Sequence, residues 1–216
     1  MCTIGRVPLI SVFSGNQRLF RLRHFSAIPA VAVYLCGMLK KPMEALERLS
    51  VEEFKRSEKT PVRVVLDNVR SMHNVGSVFR TADAFRIEGI DLCGYTPRPP
   101  HRDIHKTALG ATETVEWREW DDAAEAVAAL AAQGYEVWAV EQAEGSVWLQ
   151  DLKTQSSKRL AVVFGNEVEG VRQEVVGRCH GCIEIPQLGM KHSLNISVAA
   201  GVVLWELCRD RFPKHR

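Results

Sequence analysis

The chain has 216 residues, of which 46% are hydrophobic and 25% are charged. A chain of this length can bury one complete α/β core and still carry a terminal tail. The formal net charge of +2 is small. It excludes a protein that binds polyanions through overall charge, so any such binding needs a local basic patch.

The positive charge is concentrated at the N-terminus. Residues 1–43 contain six basic side chains and no acidic one, which leaves 22 basic and 26 acidic residues in 44–216. We expect residues 1–43 to form a basic, poorly ordered extension before one domain at 44–216. Two other interpretations stay open: a mitochondrial presequence, suggested by RLFRLRHF, and an upstream start codon with the true start at Met38 or Met43.

The cysteines and the apolar runs indicate the cellular compartment and whether a membrane or a metal is involved. Six cysteines are spread from Cys2 to Cys208 without a dense framework, which predicts reduced thiols and a cytoplasmic protein. The apolar run Ala27–Leu39 is too short to span a bilayer, so no membrane partner is expected. Neither Cys179-x-x-Cys182 nor the histidines of the loop after the second strand have the ligands of a metal site, so we expect no metal.

Apolar periodicity predicts strands alternating with helices. The predicted strands are Val62–Leu66, Ile90–Cys93, Thr114–Trp117, Glu136–Val140, Leu160–Phe164 and Ile183–Ile185. The predicted helices are Glu44–Lys55, Asn74–Phe85, Asp121–Gln133, Val168–Val176 and Leu194–Arg211, with a loop at Thr96–Lys106. This alternation is typical of an α/β fold, a mostly parallel sheet with helices on both faces.

Polar residues follow the first strand in the segment Leu66–Asp83. Asn74 is a suitable N-cap for the helix, and Arg80 lies about one and a half turns further on. Gly76 allows another backbone or a ligand to approach closely. Taken alone, the segment is better explained by a capping asparagine and a solvated arginine than by a functional site.

A second segment, Val162–Val171, ends a strand in Gly165-Asn166-Glu167 and has another glycine at Gly170. Its spacing fits neither the P-loop nor the dinucleotide fingerprint. The Glu167 carboxylate would repel phosphates, and it could hold an arginine or a cationic ligand. An ordinary strand-to-helix turn is the alternative.

The third segment, Ile183–Gly201, contains a short strand stopped by Pro186, a loop, and a long apolar helix. Ser193 and Asn195 stand where the helix opens, and we expect Ser193 to cap it. The carboxyl ends of strands in α/β sheets are common ligand sites. A helix cap without a ligand is the alternative.

Together, and in this order, the three segments resemble the motifs of SpoU/TrmH-type RNA ribose 2′-O-methyltransferases of the SPOUT superfamily. The matching patterns are Asn-x-Gly-x-x-x-Arg-Thr-Ala-Asp-Ala, Phe-Gly-Asn-Glu-x-x-Gly, and Ile-x-Ile-Pro followed by Ser-Leu-Asn-x-Ser-x-Ala, within Val62–Cys208. The resemblance implies a C-terminal deep trefoil knot, a homodimer with each active site near the subunit interface, and S-adenosylmethionine as cofactor. It also implies methyl transfer to a ribose 2′-hydroxyl of tRNA or rRNA, with guanosine favoured.

The resemblance further implies the site residues. The catalytic and structural polar positions are Asn74, Arg80, Glu167, Ser193 and Asn195. The positions that hold the cofactor are Phe164, Gly165, Asn166, Ile185, Leu188, Met190 and Leu194. Arg80 would either accept the hydroxyl proton transiently or, because a guanidinium is a poor base, grip the adjacent phosphate while Glu167 and Asn74 hold its side chain. Gln187 and Arg86 depart from the common family pattern and leave the subfamily, and so the RNA, open.

Basic residues after the second strand are the candidate RNA contacts, namely Arg98, Arg102 and Lys106. The basic C-terminus, from Arg209 to Arg216, is a further candidate, and a solvated surface is the alternative for both. A non-catalytic RNA-binding or assembly module with the same fold is the alternative function. The intact set of polar motif residues argues against it.

Overall fold

The sheet of this protein is parallel throughout the described chain. The computed structural model describes residue 42 and residues 49–153 and 158–212, so the predicted N-terminal extension and most of the basic C-terminal tail lie outside it. The strands of this part are β1 (Thr60–Asp67), β2 (Ile87–Cys93), β3 (Trp117–Trp120), β4 (Tyr135–Val140), β5 (Val147–Trp148), β6 (Arg159–Phe164) and β7 (Gly181–Glu184). Their spatial order is β3-β2-β1-β6-β4-β7-β5, and each neighbouring pair is parallel.

Helices cover both faces of the sheet, as predicted. They are α1 (Val51–Arg56), α2 (Met72–Ala84), α3 (Arg102–Ala108), α4 (Ala111–Thr114), α5 (Ala123–Ala132), α6 (Gln173–Val176) and α7 (Ile196–Cys208). One buried cluster joins the sheet to α2, α3, α4 and α7, and a second cluster on the other face joins it to α5 and α6. The central strand β1 is therefore buried on both sides from Val62 to Asp67.

Most predicted strands are confirmed to within three residues, because buried strands of parallel sheets are continuous apolar runs. The segment between β2 and α5 was predicted wrongly. Residues 102–108 of the predicted loop form α3, which His101 caps by accepting a hydrogen bond from Asp103 N. The predicted strand Thr114–Trp117 is instead the end of α4 and the first residue of β3. The two-residue strand β5 was not predicted.

Helix boundaries also differ from the predictions at their capped ends. Ser71, not Asn74, caps α2, and its hydroxyl accepts a hydrogen bond from Asn74 N. Asn195, not Ser193, caps α7, so this helix begins at Ile196 and not at Leu194. The capping side chain must accept a hydrogen bond from an amide two or three residues ahead, and several Ser and Asn residues compete for that place.

Three predicted helices differ from the structure by more than three residues. Of the predicted Glu44–Lys55, residues 44–48 lie outside the described residues, and the helix begins only after the Ser50 cap. The predicted Val168–Val176 reduces to α6, because residues 166–170 form a tight turn. The last helix ends at Cys208, and residues 209–211 continue as a 3-10 turn.

Gly76 has a packing explanation. A Cβ atom at this position would lie 2.1 Å from Thr107 Oγ1 and 2.4 Å from the carbonyl oxygen of Ile104, so α3 packs directly on the backbone of α2. Thr107 Oγ1 also donates a hydrogen bond to the carbonyl oxygen of His73. The predicted close approach at Gly76 is therefore made by another helix, and it fixes α3 to the first turns of α2.

Within the described residues, no helix is long and apolar enough to cross a membrane. In the same part of the chain, no group of three or more His, Cys, Asp or Glu side chains could hold a metal ion. Cys93, Cys179, Cys182 and Cys208 are free thiols.

Candidate active site

A cavity of about 500 Å³ opens at the carboxyl ends of β4, β6 and β7. Four chain segments line it: residues 140–142, 164–170, 183–187 and 192–199. These strands are neighbours in the sheet and run in the same direction, so their ends meet at one edge. The second and third sequence segments thus form the walls of one ligand-sized pocket.

The loop after β6 has no room for side chains at its glycines. A Cβ atom on Gly165 would lie 2.0 Å from the carbonyl carbon of Gly170 and 2.2 Å from Val171 N. Gly170 itself has a φ of 69°, in the left-handed region that glycine adopts readily. Asn166 and Gly170 exchange two backbone hydrogen bonds, of 3.0 and 2.9 Å. The loop is therefore a closed, tight turn whose backbone forms one side of the cavity.

Glu167 connects this loop to the beginning of α2. Its carboxylate accepts hydrogen bonds from Arg70 N at 3.0 Å, from Ser71 N at 3.1 Å and from Asn74 Nδ2 at 3.1 Å. Asn74 lies 93 residues earlier in the chain than Glu167. The bond between their side chains therefore brings the first and second motifs together.

The third motif joins the same network. Asn195 Nδ2 donates to Asn74 Oδ1 at 3.1 Å, while Asn195 Oδ1 accepts from Ser197 N at 2.9 Å. Asn195 thus caps α7 with one amide atom and binds α2 with the other. Glu167, Asn74 and Asn195 form one hydrogen-bonded chain on the rim of the cavity, and it orients the amide of Asn74 in a single direction.

The environment of Glu167 favours its charged form. Partial burial would raise the pKa of the carboxyl, but the N–H groups of Arg70 and Ser71 and the Asn74 amide outweigh it and lower the pKa below its ordinary value of 4.5. Glu167 is therefore an anion at neutral pH and a fixed acceptor in this network.

Asn166 uses its side chain inside the protein. Only 6% of the residue is exposed. Its Nδ2 donates to the carbonyl oxygen of Asn68 and to the Tyr95 hydroxyl, and its Oδ1 accepts from Val168 N and Glu169 N. With these four bonds the side chain holds the loop in shape, and its backbone remains at the cavity wall.

The apolar candidates divide into two groups. Phe164, Ile185 and Leu194 line the cavity together with Gly165 and Ser193. Leu188 and Met190 do not line it, and they are 104% and 84% exposed. The structure therefore brings three of the five apolar candidates to one pocket and leaves two on the surface of the loop.

Arg80 lies apart from the polar network. It is exposed on α2 and does not line the cavity. Within the described residues no hydrogen bond or ion pair holds its guanidinium, so the expected grip by Glu167 and Asn74 is not formed. Glu167 instead binds the backbone of residues 70 and 71, which precede the same helix.

The candidate RNA contacts differ in how firmly the protein already holds them. Arg98 pairs with Glu119 at 3.2 Å and donates to the carbonyl oxygen of Gly94, and Lys106 pairs with Asp103 at 2.8 Å. Arg102 is exposed at the start of α3. Only Arg102 of the three is without an ion pair among the described residues.

The polar cavity residues outside the predicted set include Glu141 and Gln142. Glu141 accepts a hydrogen bond from Val171 N at 2.9 Å, and Gln142 Nε2 donates to the carbonyl oxygen of His192 at 2.9 Å. Both follow β4 directly. The rule that polar residues at strand ends form sites would have found them, but β4 carries no family motif.

The cavity and the polar network lie at the carboxyl edge of a parallel sheet, which is where α/β proteins bind their ligands. These features place the protein in the class of ligand-binding α/β proteins. Residues 61–205 match the SpoU rRNA Methylase family, so the chain belongs to that family of methyltransferases. It is 34% identical over 164 residues to the tRNA (guanosine(18)-2′-O)-methyltransferase of Thermus thermophilus, covering 76% of this chain and 82% of that enzyme. It is 33% identical over 171 residues to the 23S rRNA (guanosine-2′-O-)-methyltransferase RlmB of Vibrio cholerae, covering 79% of this chain and 68% of that enzyme.

Solved structures agree with this assignment. An AdoMet-bound rRNA methyltransferase from Sinorhizobium meliloti matches with a TM-score of 0.67 and 29% identity, over 72% of this chain and 59% of that one. The TrmH/SpoU tRNA modifying enzyme of A. aeolicus matches with a TM-score of 0.67 and 27% identity, over 74% of this chain and 80% of that one. The chain thus spans a little over half of the first of these proteins and most of the second.

Proposed function

We propose that this protein transfers a methyl group from S-adenosylmethionine to a ribose 2′-hydroxyl of tRNA or rRNA, with guanosine as the target nucleoside. The observation that carries the proposal is the hydrogen-bonded chain Glu167–Asn74–Asn195, which joins all three motifs at the rim of one cavity. The relatives named for guanosine 2′-O-methylation of tRNA and rRNA support the substrate class.

The cavity fits the cofactor in size and charge. Its volume of about 500 Å³ is typical of small-molecule sites. Glu141, Glu167 and Glu184 line it, and these carboxylates favour a cationic ligand and disfavour phosphates. Ile185 and Leu194 offer apolar surface for the adenine, and the backbone at Gly165 is free of any side chain. A neighbouring structure with bound AdoMet supports the same assignment.

When bound, S-adenosylmethionine supplies an electrophilic methyl group on a sulfonium. The protein must align the ribose hydroxyl with that methyl group, and alignment alone can lower a barrier by about 7–11 kcal/mol. We assign alignment to Asn74 and Asn195, whose amides are fixed by the network. Ser193 is the further hydroxyl at the cavity wall that can bond to the ribose.

Arg80 is proposed to bind the phosphate next to the target ribose and so to orient the 2′-hydroxyl. A guanidinium keeps its proton at neutral pH, which makes it a poor general base and a good phosphate ligand. Its exposure on α2, without an ion pair among the described residues, leaves it available to RNA.

The test is Arg80→Ala, with Arg56→Ala on α1 as the matched control for a lost surface arginine. We expect Arg80→Ala to bind S-adenosylmethionine normally in calorimetry and to lose methyl transfer to bulk tRNA and rRNA. Arg80→Lys should recover little activity, because lysine lacks the fork that pairs with phosphate. Near-normal turnover of Arg80→Ala would contradict the assignment. RNA binding without any cofactor binding in the unmodified protein would favour the non-catalytic module instead.

We further propose a homodimer that uses the outer face of α7. Val198, Val202 and Trp205 are 52%, 38% and 56% exposed and recur with helical spacing. Together with Ile185 and Pro186 they line a shallow groove. Contiguous exposed apolar residues of this kind are typical of a protein interface. Since α2 packs beside α7, a partner on this face would also lie near the helix that carries Arg80.

Val202→Glu should shift the protein to a monomer in sedimentation equilibrium, because a carboxylate in an apolar interface is costly. Val168→Glu is the matched control, since Val168 is exposed on the loop after β6. A protein that is monomeric without substitution would contradict the dimer.

The remaining family features are also part of the proposal. Residues 44–216 form the methyltransferase domain, and the chain from β6 to α7 forms the trefoil knot. Two observations support the proposal of a knot. The strand β7 lies between β4 and β5 in the sheet, and Gln142 Nε2 donates a hydrogen bond to the carbonyl oxygen of His192. We also propose a cytoplasmic location, because the cysteines are spread along the chain without a disulfide framework.

A further inference from the structure

A second cavity, of about 540 Å³, lies against α3 and β3 and belongs to no family motif. Its apolar surfaces are Pro99, Pro100, Ile104 and Trp117, and its polar lining includes Arg102, His105 and Glu113. Its residues come from the loop after β2, from α3, from α4 and from the start of β3. None of them lines the candidate cofactor cavity.

Three polar side chains that line this cavity have no partner in the described part of the protein. Within the described residues, the side chains of Arg102, His105 and Glu113 make no hydrogen bond or ion pair. Nearby charged groups are paired, as Lys106 is with Asp103 and Arg118 with Glu116. The lining therefore presents one cation, one carboxylate and one imidazole that the protein does not use internally.

The cavity is preformed and connected to the catalytic helix. Gly76 packs directly on Ile104 and Thr107 of α3, and Thr107 Oγ1 donates to the carbonyl oxygen of His73. The backbone of α3 at Ile104 is thus packed on the turn of α2 that carries Asn74. A ligand bound here would be fixed relative to the polar network at the start of α2.

The chemistry of the lining matches a nucleotide. Flat apolar surfaces such as the Trp117 indole accept a base by stacking. A guanidinium such as that of Arg102 pairs with phosphate, and a carboxylate accepts the N–H groups at the Watson–Crick edge of a base. Guanine presents two such donors side by side, from N1 and the 2-amino group, which two carboxylate oxygens can accept together.

We propose that this second cavity binds an unpaired guanosine of the RNA substrate, outside the methylated position. Trp117 and the two prolines stack the base, Glu113 accepts its N1–H and 2-amino group, and Arg102 pairs with its phosphate. The inference rests on the proposed RNA methyltransferase function and adds a determinant of which RNA is chosen.

Glu113→Gln tests the proposal, with Glu125→Gln on the exposed face of α5 as the matched control. The probes are short single-stranded RNAs, UUGUU and UUIUU, in fluorescence anisotropy. Inosine lacks the 2-amino group and leaves one carboxylate oxygen unpaired. We expect the unmodified protein and Glu125→Gln to prefer the guanosine probe by about tenfold, and Glu113→Gln to lose that preference.

Arg102→Ala should lower the affinity for both RNA probes by the same factor, because a contact with phosphate does not distinguish one base from another. Both lining substitutions are at exposed side chains, so folding should be unchanged, whereas Trp117 also packs on the core. In methyl transfer to bulk tRNA and rRNA, Glu113→Gln should raise KM about tenfold and leave kcat unchanged, since the contact is equal in ground and transition states.

The outcomes separate this inference from the proposed function. If Glu113→Gln and Glu125→Gln show the same preference for the guanosine probe over the inosine probe, the proposed guanosine site is wrong, even if methyl transfer proceeds. A protein that binds no S-adenosylmethionine and transfers no methyl group overturns the proposed function, and the probe preference still shows whether the cavity binds guanosine.

Discussion

Glu167→Gln is the sharpest test of the polar network because it changes one atom of the acceptor. Glu167 Oε2 accepts from Arg70 N, and Oε1 accepts from Ser71 N and Asn74 Nδ2. Glutamine has one carbonyl oxygen and one NH₂ group. In either orientation at least one of these donors faces another donor instead of an oxygen.

The cost follows from the lost bonds. A hydrogen bond to a charged group contributes about 1.5–3 kcal/mol when buried, and the exposure of Glu167 reduces this. We therefore expect Glu167→Gln to lower the free energy of unfolding by about 1–2 kcal/mol. For a chain of this size that corresponds to a fall in Tm of about 2–8 °C.

Urea and thermal unfolding measure the change, and Glu169→Gln is the control in the same loop. Glu169 is exposed, and its carboxylate accepts no hydrogen bond from the described residues. It should therefore change stability by less than about 0.5 kcal/mol. Equal stability of Glu167→Gln, Glu169→Gln and the unmodified protein would refute the reasoning.

The same substitution predicts a pH dependence. The pKa of Glu167 is lowered in the folded protein below its ordinary value of 4.5, so its carboxylate contributes stability above that value. This contribution is lost as pH falls through the folded pKa. The stability difference between the unmodified protein and Glu167→Gln should be constant from about pH 6 to pH 7 and narrow below about pH 4.5.

Three further substitutions have clear expected outcomes. Gly165→Ala places a Cβ atom 2.0 Å from the Gly170 carbonyl carbon, so the tight turn must open. Calorimetry should show the affinity for S-adenosylmethionine falling by about tenfold or more, and unchanged affinity would contradict the tight turn. Arg86→Gly should relieve backbone strain, because Arg86 has a φ of 51°, which glycine adopts readily. The free energy of unfolding should rise by about 0.5–1 kcal/mol, and a fall would contradict the strain. Arg63→Ala leaves the fully buried Asp91 carboxylate without its 2.7 Å ion pair; denaturant unfolding should show a loss of about 3–5 kcal/mol, and a loss under about 1 kcal/mol would refute the prediction.

Local patterns were sufficient for five of the seven described strands and for the sheet edge that carries the site. The apolar runs that became β1, β4 and β6 predict buried strands because both faces of a parallel sheet are covered. The motif residues at their ends predict a common site because parallel strands end at one edge. The family resemblance then named Phe164, Gly165 and Ile185 as cofactor positions, and all three line the cavity at that edge.

Local patterns failed where two structures compete for the same residues. The segment after β2 is rich in Pro, Arg and His, which predicts a loop. The helix α3 forms there because His101 caps it and the bare backbone at Gly76 gives it a surface to pack on. Ser71 and Asn195 became the caps of α2 and α7 for a similar reason, since the distance to the right amide decides among several candidates.

The sequence by itself determined the mostly parallel α/β fold class, because buried strands are apolar runs, and it indicated the family through three motifs that resemble it. It also identified part of the cavity lining, namely Phe164, Gly165, Ile185 and Leu194. Only the tertiary structure decided what each side chain binds. Glu167 holds the start of α2 and not Arg80, and Leu188 and Met190 face solvent and not the cavity. The physical reason is that these contacts join segments about a hundred residues apart, and their geometry is set by how the loops close around the sheet.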